Sequence, residues 1–223
     1  MTKDNLTPSP PYWISVEGLS NIRDIGGWKV ANKGWVRPSC IYRGCEMDTH
    51  HTLTPNAVHT MTEILHIRTD LDLRQEAVGV LSSSPLGANI QFLLIPMVAY
   101  RDFLDVTPEN SATVRRLFSV LSDDKNYPIY LHCWGGADRT GTLVFLLNAI
   151  LGVSYDDLII DYEATSMSIW GPRPRTYEPF AAFLEALNKY AGDTVNQKTE
   201  SFLRSCGIDD SIFLRLRSNL IEQ

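Results

Sequence analysis

Cysteine is scarce in this chain: 223 residues hold four, Cys40, Cys45, Cys133 and Cys206, and none of them forms a CxxC pair. This is not the density of a small disulfide-stapled domain. Reduced thiols in the cytoplasm are the expectation, with a Cys40–Cys45 bridge, and a secreted or periplasmic site, reserved for a form whose signal has been removed. Long apolar runs are missing too. Ala88 to Tyr100 and Leu143 to Val153 fall short of the roughly 18 residues a membrane helix requires, and Asn148 interrupts the second. Strong charge of either sign is absent, with 20 Lys+Arg against 26 Asp+Glu for a net −6. That balance argues against gripping nucleic acid or an anionic membrane by bulk charge, so any anionic ligand needs a local site. Repeats, heptads and low-complexity tracts are lacking, apart from the short turn Ser82-Ser83-Ser84-Pro85.

What is present reads as one continuous α/β domain after a polar, proline-bearing start. Trp28 to Val30 and Trp35 to Arg37 flank Ala31-Asn32-Lys33-Gly34, the pattern of a small hairpin. Ser39 to Arg43 reads as a short strand, and Thr54 to Leu65 as an amphipathic helix opened by Thr-Pro. Between Ile67 and Arg74 apolar and charged residues alternate strictly, which is the period of a strand. Further strands are expected at Ile90–Met97 and Pro128–His132, with a helix from Pro108 to Leu121 capped by Thr107. Strand and helix in this rhythm predict a central, mostly parallel sheet flanked by helices. From Arg139 onward the chain reads as almost all helix, broken at Gly152, at Trp170-Gly171-Pro172-Arg173-Pro174 and at Gly192.

The chemistry concentrates in Tyr130-Leu131-His132-Cys133-Trp134-Gly135-Gly136-Ala137-Asp138-Arg139-Thr140-Gly141. A buried strand here runs through a glycine-bearing loop into an apolar helix. Gly135 and Gly136 let successive backbone N–H groups turn inward as an anion nest. The helix start adds its free N–H groups and dipole, and Arg139 offers a planar fork for two phosphate oxygens. Cys133 sits in that positive field, which favours a reactive thiolate. A thiolate beside an oxyanion cradle is the arrangement for nucleophilic attack on phosphorus.

The segment HCWGGADRTG resembles the phosphate-binding loop of the cysteine-dependent protein tyrosine phosphatases. Asn21-Ile22-Arg23-Asp24-Ile25-Gly26-Gly27 is similar to the NFRDLGG motif of a bacterial branch of that superfamily, tyrosine phosphatase family 3, which includes secreted mycobacterial lipid and tyrosine phosphatases. Ile41-Tyr42-Arg43-Gly44 and Asp72-Leu73-Arg74 match further elements of the branch in the same order. The resemblance implies Cys133 as nucleophile, Arg139 as phosphate clamp, and the N–H groups of Trp134, Gly135, Gly136, Ala137, Asp138 and Arg139 as cradle. It implies that His132 orients the loop and helps keep Cys133 ionised, and that the Thr140 hydroxyl donates to the sulfur. For the general acid it leaves three carboxylates, ranked Asp138, Asp102, Asp105. Ala137 replaces a lysine frequent in the phosphoinositide-hydrolysing members, while Arg173 and Arg175 offer charge from a loop between helices.

Other readings weigh against some of these residues. Cys133 alone would pass for a buried inert thiol, and Asp138 for a helix cap. Arg23 and Asp24 are expected to brace the loops, and Asp72 and Arg74 to pair with each other. His50, His51, His59 and His66 lack metal-ligand spacing and read as incidental; Trp28, Trp35 and Phe180 read as core. Trp134 points either into the fold or over the substrate. Together these expectations describe residues 1–17 as a loose lead-in and 18–223 as a single phosphatase domain with room for a helical lid over 163–192. It would hydrolyse a phosphomonoester, phosphotyrosine first, with a phosphorylated protein or small phosphomonoester as partner and without cofactor, metal, nucleic acid or membrane insertion. An inositol phosphate or phosphoinositide phosphatase is the enzymatic alternative, and a phosphate-binding pseudophosphatase the non-enzymatic one.

Overall fold

The protein is described from a computed structural model that covers residues 10–31 and 34–223. Its strands are β1 (Tyr12–Trp13), β2 (Arg23–Asp24), β3 (Lys29–Val30), β4 (Gly34–Val36), β5 (Ile41–Gly44), β6 (Thr69–Asp72), β7 (Gln91–Leu94), β8 (Ile129–His132) and β9 (Ile221–Glu222). Its helices are α1 (Pro55–His59), α2 (Pro108–Leu121), α3 (Asp138–Leu151), α4 (Tyr155–Ala164), α5 (Glu178–Leu187), α6 (Val195–Ser205) and α7 (Asp210–Leu220). One sheet has the order β1-β2-β5-β8-β6-β7. Its last four strands are parallel, and β1 and β2 join antiparallel. The expected mostly parallel α/β sheet is therefore the observed one. Its first strand, Tyr12–Trp13, lies inside the stretch expected to be a loose lead-in, whose residues 1–9 fall outside the described ones.

Strand alternation divides the core between two faces. From β8, Ile129 and Leu131 enter the main core with α2 to α7, while Tyr130 faces the smaller cluster of Tyr42, Ala57, Met61 and Ile67 beneath α1. The α2 helix follows its sequence closely. Thr107 accepts the Asn110 N–H at 3.1 Å, Pro108 fills the first turn, and Val114, Leu117, Phe118 and Leu121 form one buried stripe. In contrast, α3 is buried over its whole length from Thr140 to Leu151, as its apolar sequence requires. It stops at Gly152, whose φ of +100° only glycine adopts without strain. No helix among the described residues is long and apolar enough to cross a membrane.

Several local readings change in the folded chain. The expected helix over 54–65 is α-helical only to His59 and continues as a π-helical turn over Thr60–Ile64. The hairpin pairs Val30 with Gly34, but the tip residues 32 and 33 lie outside the described residues. A partner for it comes from far away, because β9 at the C-terminus pairs with β4. Trp35, read as core, is 48% exposed on that small sheet. Asp138 is the first residue of α3 and caps nothing with its side chain; Ala137 holds the cap position.

Candidate active site

The loop after β8 lies at the C-terminal edge of the parallel strands, where open α/β sheets place their ligands. Three successive carbonyls of this loop are taken from outside. The Trp134 carbonyl accepts the Glu46 N–H at 3.0 Å, that of Gly135 accepts the Asn21 amide at 3.0 Å, and that of Gly136 accepts the Arg43 guanidinium at 2.8 Å. A trans peptide points its N–H opposite its C=O, so pinning three successive carbonyls outward turns the following N–H groups inward. Gly136 has φ +64°, and a Cβ there would strike the Gly44 carbonyl oxygen. This position therefore needs glycine. Gly135 lies flat beneath the Trp170 ring, which a Cβ would meet at 3.1 Å.

The residues that pin the loop form a buried ionic cluster. Asp161 binds Arg23 at 3.2 Å and Arg43 at 2.8 Å, and all three are buried. Burial opposes the Asp161 charge, yet the two guanidiniums hold its pKa below the ordinary carboxylate range. Arg23 also binds the Asn21 side chain and Thr165. Arg23 thus braces the loop at one remove, as the motif suggested. Asp24 does something else: it accepts the N–H groups of Gly26 at 2.8 Å and Ser39 at 2.6 Å and fixes the turn leading to β5.

Directly before the buried Cys133, His132 binds Asp70 through Nε2 at 2.8 Å, and Ser84 donates to the other Asp70 oxygen at 2.7 Å. Burial disfavours the imidazolium, but the Asp70 carboxylate outweighs it and His132 is raised to about 9. The Asp70 carboxylate thus favours the protonated form of the residue that precedes Cys133. Arg139 leaves the first turn of α3 and forms a two-pronged pair with Glu76, at 2.7 and 3.2 Å. Thr140 is buried, and its hydroxyl has no hydrogen-bond partner among the described residues; the expected donation to the sulfur is not made here. The Asp138 carboxylate accepts the Tyr100 hydroxyl at 2.5 Å and Arg173 Nε at 3.0 Å. Asp102 is exposed and meets Arg101 at 3.4 Å, while Asp105 offers its backbone carbonyl to Asn110. Neither forms a hydrogen bond with the loop.

A sequence model of the tyrosine phosphatase family matches residues 14–222, nearly the whole chain. The chain belongs to that family. It is a cysteine-dependent phosphatase. The core catalytic domain of the PP-IP phosphatase Siw14 from S. cerevisiae is similar at 19% identity and a TM-score of 0.42, over 77% of this chain and 83% of that one. A second structure of the Siw14 catalytic core gives 16% and 0.45, over 77% and 91%. No curated protein matches.

The rim of the candidate site contains side chains that sequence reading treats as incidental or leaves open. Trp134 is 42% exposed and stands over the mouth, its indole N–H donating to His50 Nδ1 and its ring 4.9 Å from Trp170. His51 packs against Trp170 at 5.5 Å and binds the buried Glu46 at 3.1 Å. Among the described residues no three His, Cys, Asp or Glu side chains converge as a metal set. Arg173 reaches Asp138, but Arg175 turns away to pair with Glu163. All four cysteines are free and buried. Glu46, Asp70, Glu76, Tyr100 and Asp161 were not picked out as site residues. For Asp70, the charged face of its strand was a signal, since a charged stripe on a strand covered on both sides must be paired; the others carry no motif.

Proposed function

We propose that this phosphatase hydrolyses phosphotyrosine, on proteins or as a dual-specificity enzyme, through a phosphocysteine intermediate. In this reading Cys133 attacks phosphorus in line, the P–O bond to the tyrosine breaks, and Asp138 gives the departing oxygen its proton. Water then attacks the phosphocysteine, and the sulfur leaves as a thiolate. Arg139 and the N–H groups of residues 134–139 hold the three equatorial oxygens, where charge builds in the transition state. His132 keeps positive charge behind the sulfur. The orphaned Thr140 hydroxyl supports its part as donor to the departing sulfur, because a buried hydroxyl without a partner is costly and a thiolate would satisfy it. Asp138 must first leave Arg173, which lies in the 163–192 lid; Asp102 is the second choice of acid.

The observation that carries this reading is the loop itself, with its carbonyls pinned outward between Cys133 and Arg139. Phosphotyrosine is favoured over inositol phosphates because the cations around the mouth are already answered. Arg74 is bound to Asp72 and Asp48, Arg175 to Glu163, and position 137 is alanine. Four free thiols support a reducing, cytoplasmic setting. The test is hydrolysis of p-nitrophenyl phosphate in the presence of EDTA by the intact protein and by Cys133→Ser. Activity that survives EDTA and is lost in the variant is expected. An intact protein that binds phosphate without turning over would instead be a pseudophosphatase.

A further inference from the structure

Beside the cradle, the segments that follow β5 and β6 diverge and leave an open groove of about 360 Å³ against Trp134. Its floor and far wall are Ala77, Val80 and Leu81. Val80 is 72% exposed and Trp134 42%, so an aromatic ring and a branched aliphatic face water side by side at the mouth of a catalytic site. Exposed apolar surface in such a place marks a contact with something that covers it. Two residues belong to groove and cradle at once. The peptide of Trp134 lies between Cys133 and Gly135 in the loop, while its indole forms the groove wall. Glu76 lines the groove and holds Arg139. Groove and phosphate clamp therefore share residues, and an occupant of the groove lies beside a phosphate held by Arg139, where a neighbouring part of the same substrate would sit.

Charge specifies what that part is. Arg74, the guanidinium lining the groove, is consumed by Asp72 at 2.8 Å, Asp48 at 2.8 Å and Glu46 at 3.6 Å. Three carboxylates against one guanidinium leave this edge acidic. A second phosphate or a carboxylate would find repulsion there and no free cation, whereas an uncharged side chain would cover Val80 and the indole. We infer that the groove is a specificity subsite that seats an uncharged apolar residue flanking phosphotyrosine in a peptide and disfavours an acidic one. This inference rests on the phosphotyrosine reading above and adds to it the character of the neighbouring residue.

The test uses pairs of phosphotyrosine peptides that differ only in Leu or Asp at one flanking position, varied on each side in turn. On one side the Leu peptide is expected to show about tenfold higher kcat/KM, equivalent to about 1.4 kcal/mol. Val80→Asp, on an exposed turn, is expected to erase that preference while leaving p-nitrophenyl phosphate turnover unchanged. Equal turnover of both peptides on both sides, or a preference that Val80→Asp leaves intact, overturns the proposal. So does faster, Val80-dependent hydrolysis of phosphatidylinositol phosphate in vesicles, which would assign the groove to a lipid. Peptide binding to Cys133→Ser, followed by anisotropy, keeps the two readings apart. If the intact protein fails to hydrolyse p-nitrophenyl phosphate, the catalytic reading falls, and the Leu-over-Asp difference in binding still decides the groove.

Discussion

The catalytic loop is held from below and from above by opposite kinds of contact. Below, Arg23, Arg43, Asp161 and Asn21 are buried, two guanidiniums share one carboxylate, and Asn21 and Arg43 end on the loop carbonyls. Above, Arg139 with Glu76, Arg173 with Asp138 and Trp134 with His50 pair across half-exposed positions. The lower set cannot exchange partners, since a buried charge left alone is expensive. The upper set can, because water or a phosphate replaces either partner at small cost. The molecule therefore fixes the direction of the loop N–H groups rigidly and keeps the side chains at the mouth exchangeable.

That contrast is most directly broken from below. Asp161→Ala strands two buried guanidiniums and is expected to cost about 3–5 kcal/mol. For a domain of this size that lowers Tm by about 10 °C, readable by calorimetry, with loss of turnover at temperatures where the variant remains folded. A fall in Tm of only a degree or two would mean that the cluster is not tightly braced.

The next effect is on pH dependence. His132 is raised above its ordinary 6.5 to about 9, so its charge contributes stability in full below pH 6.5 and loses it as pH rises through 9. The same loss removes the cation behind Cys133, and kcat/KM should fall above pH 9. Asp70→Asn removes the attraction and leaves burial, so the alkaline limb should move down by roughly one to two units. An unmoved limb in a pH–rate profile would remove His132 from that role.

Smaller effects belong to the rim. Glu76→Gln frees Arg139 from its competitor and is expected to tighten inhibition by inorganic phosphate by up to about fivefold, with Tm unchanged. Weaker inhibition would instead make Glu76 a residue that positions the guanidinium. Smallest is Arg175→Ala. With its partner Glu163 on the outer surface, it should change neither Tm nor kcat/KM on p-nitrophenyl phosphate, and a raised KM would place Arg175 at the phosphate after all.

Much of the site is local in sequence and was legible there. Cys133, Gly136 and Arg139 lie within one loop, and the reasons for each, a positive φ or a short span between thiol and guanidinium, act over a few residues. The π-helical turn after His59 and the exposure of Trp35 were not legible, because packing against distant elements decides them. Trp134 could not be oriented either, since its direction depends on His50 and Trp170, which come from separate segments before and after it in the chain. The alternation from Ile67 to Arg74 correctly announced a strand. Asp70, Asp72 and Arg74 of its charged face proved to be buried while Arg68 is exposed, and the neighbouring strand brings His132 against Asp70.

By itself, then, the order of residues determined the parallel α/β architecture, through strand and helix periodicity, and the glycine-bearing turn from β8 into α3, through backbone geometry that glycine and a helix start impose locally. Only the tertiary structure decided which partner each charge received. Asp161 serves Arg23 and Arg43 from more than a hundred residues away, Glu76 takes Arg139, and Asp138 is shared by Tyr100 and Arg173. Electrostatic pairing depends on separations of a few ångströms after folding, and no spacing along the chain encodes them.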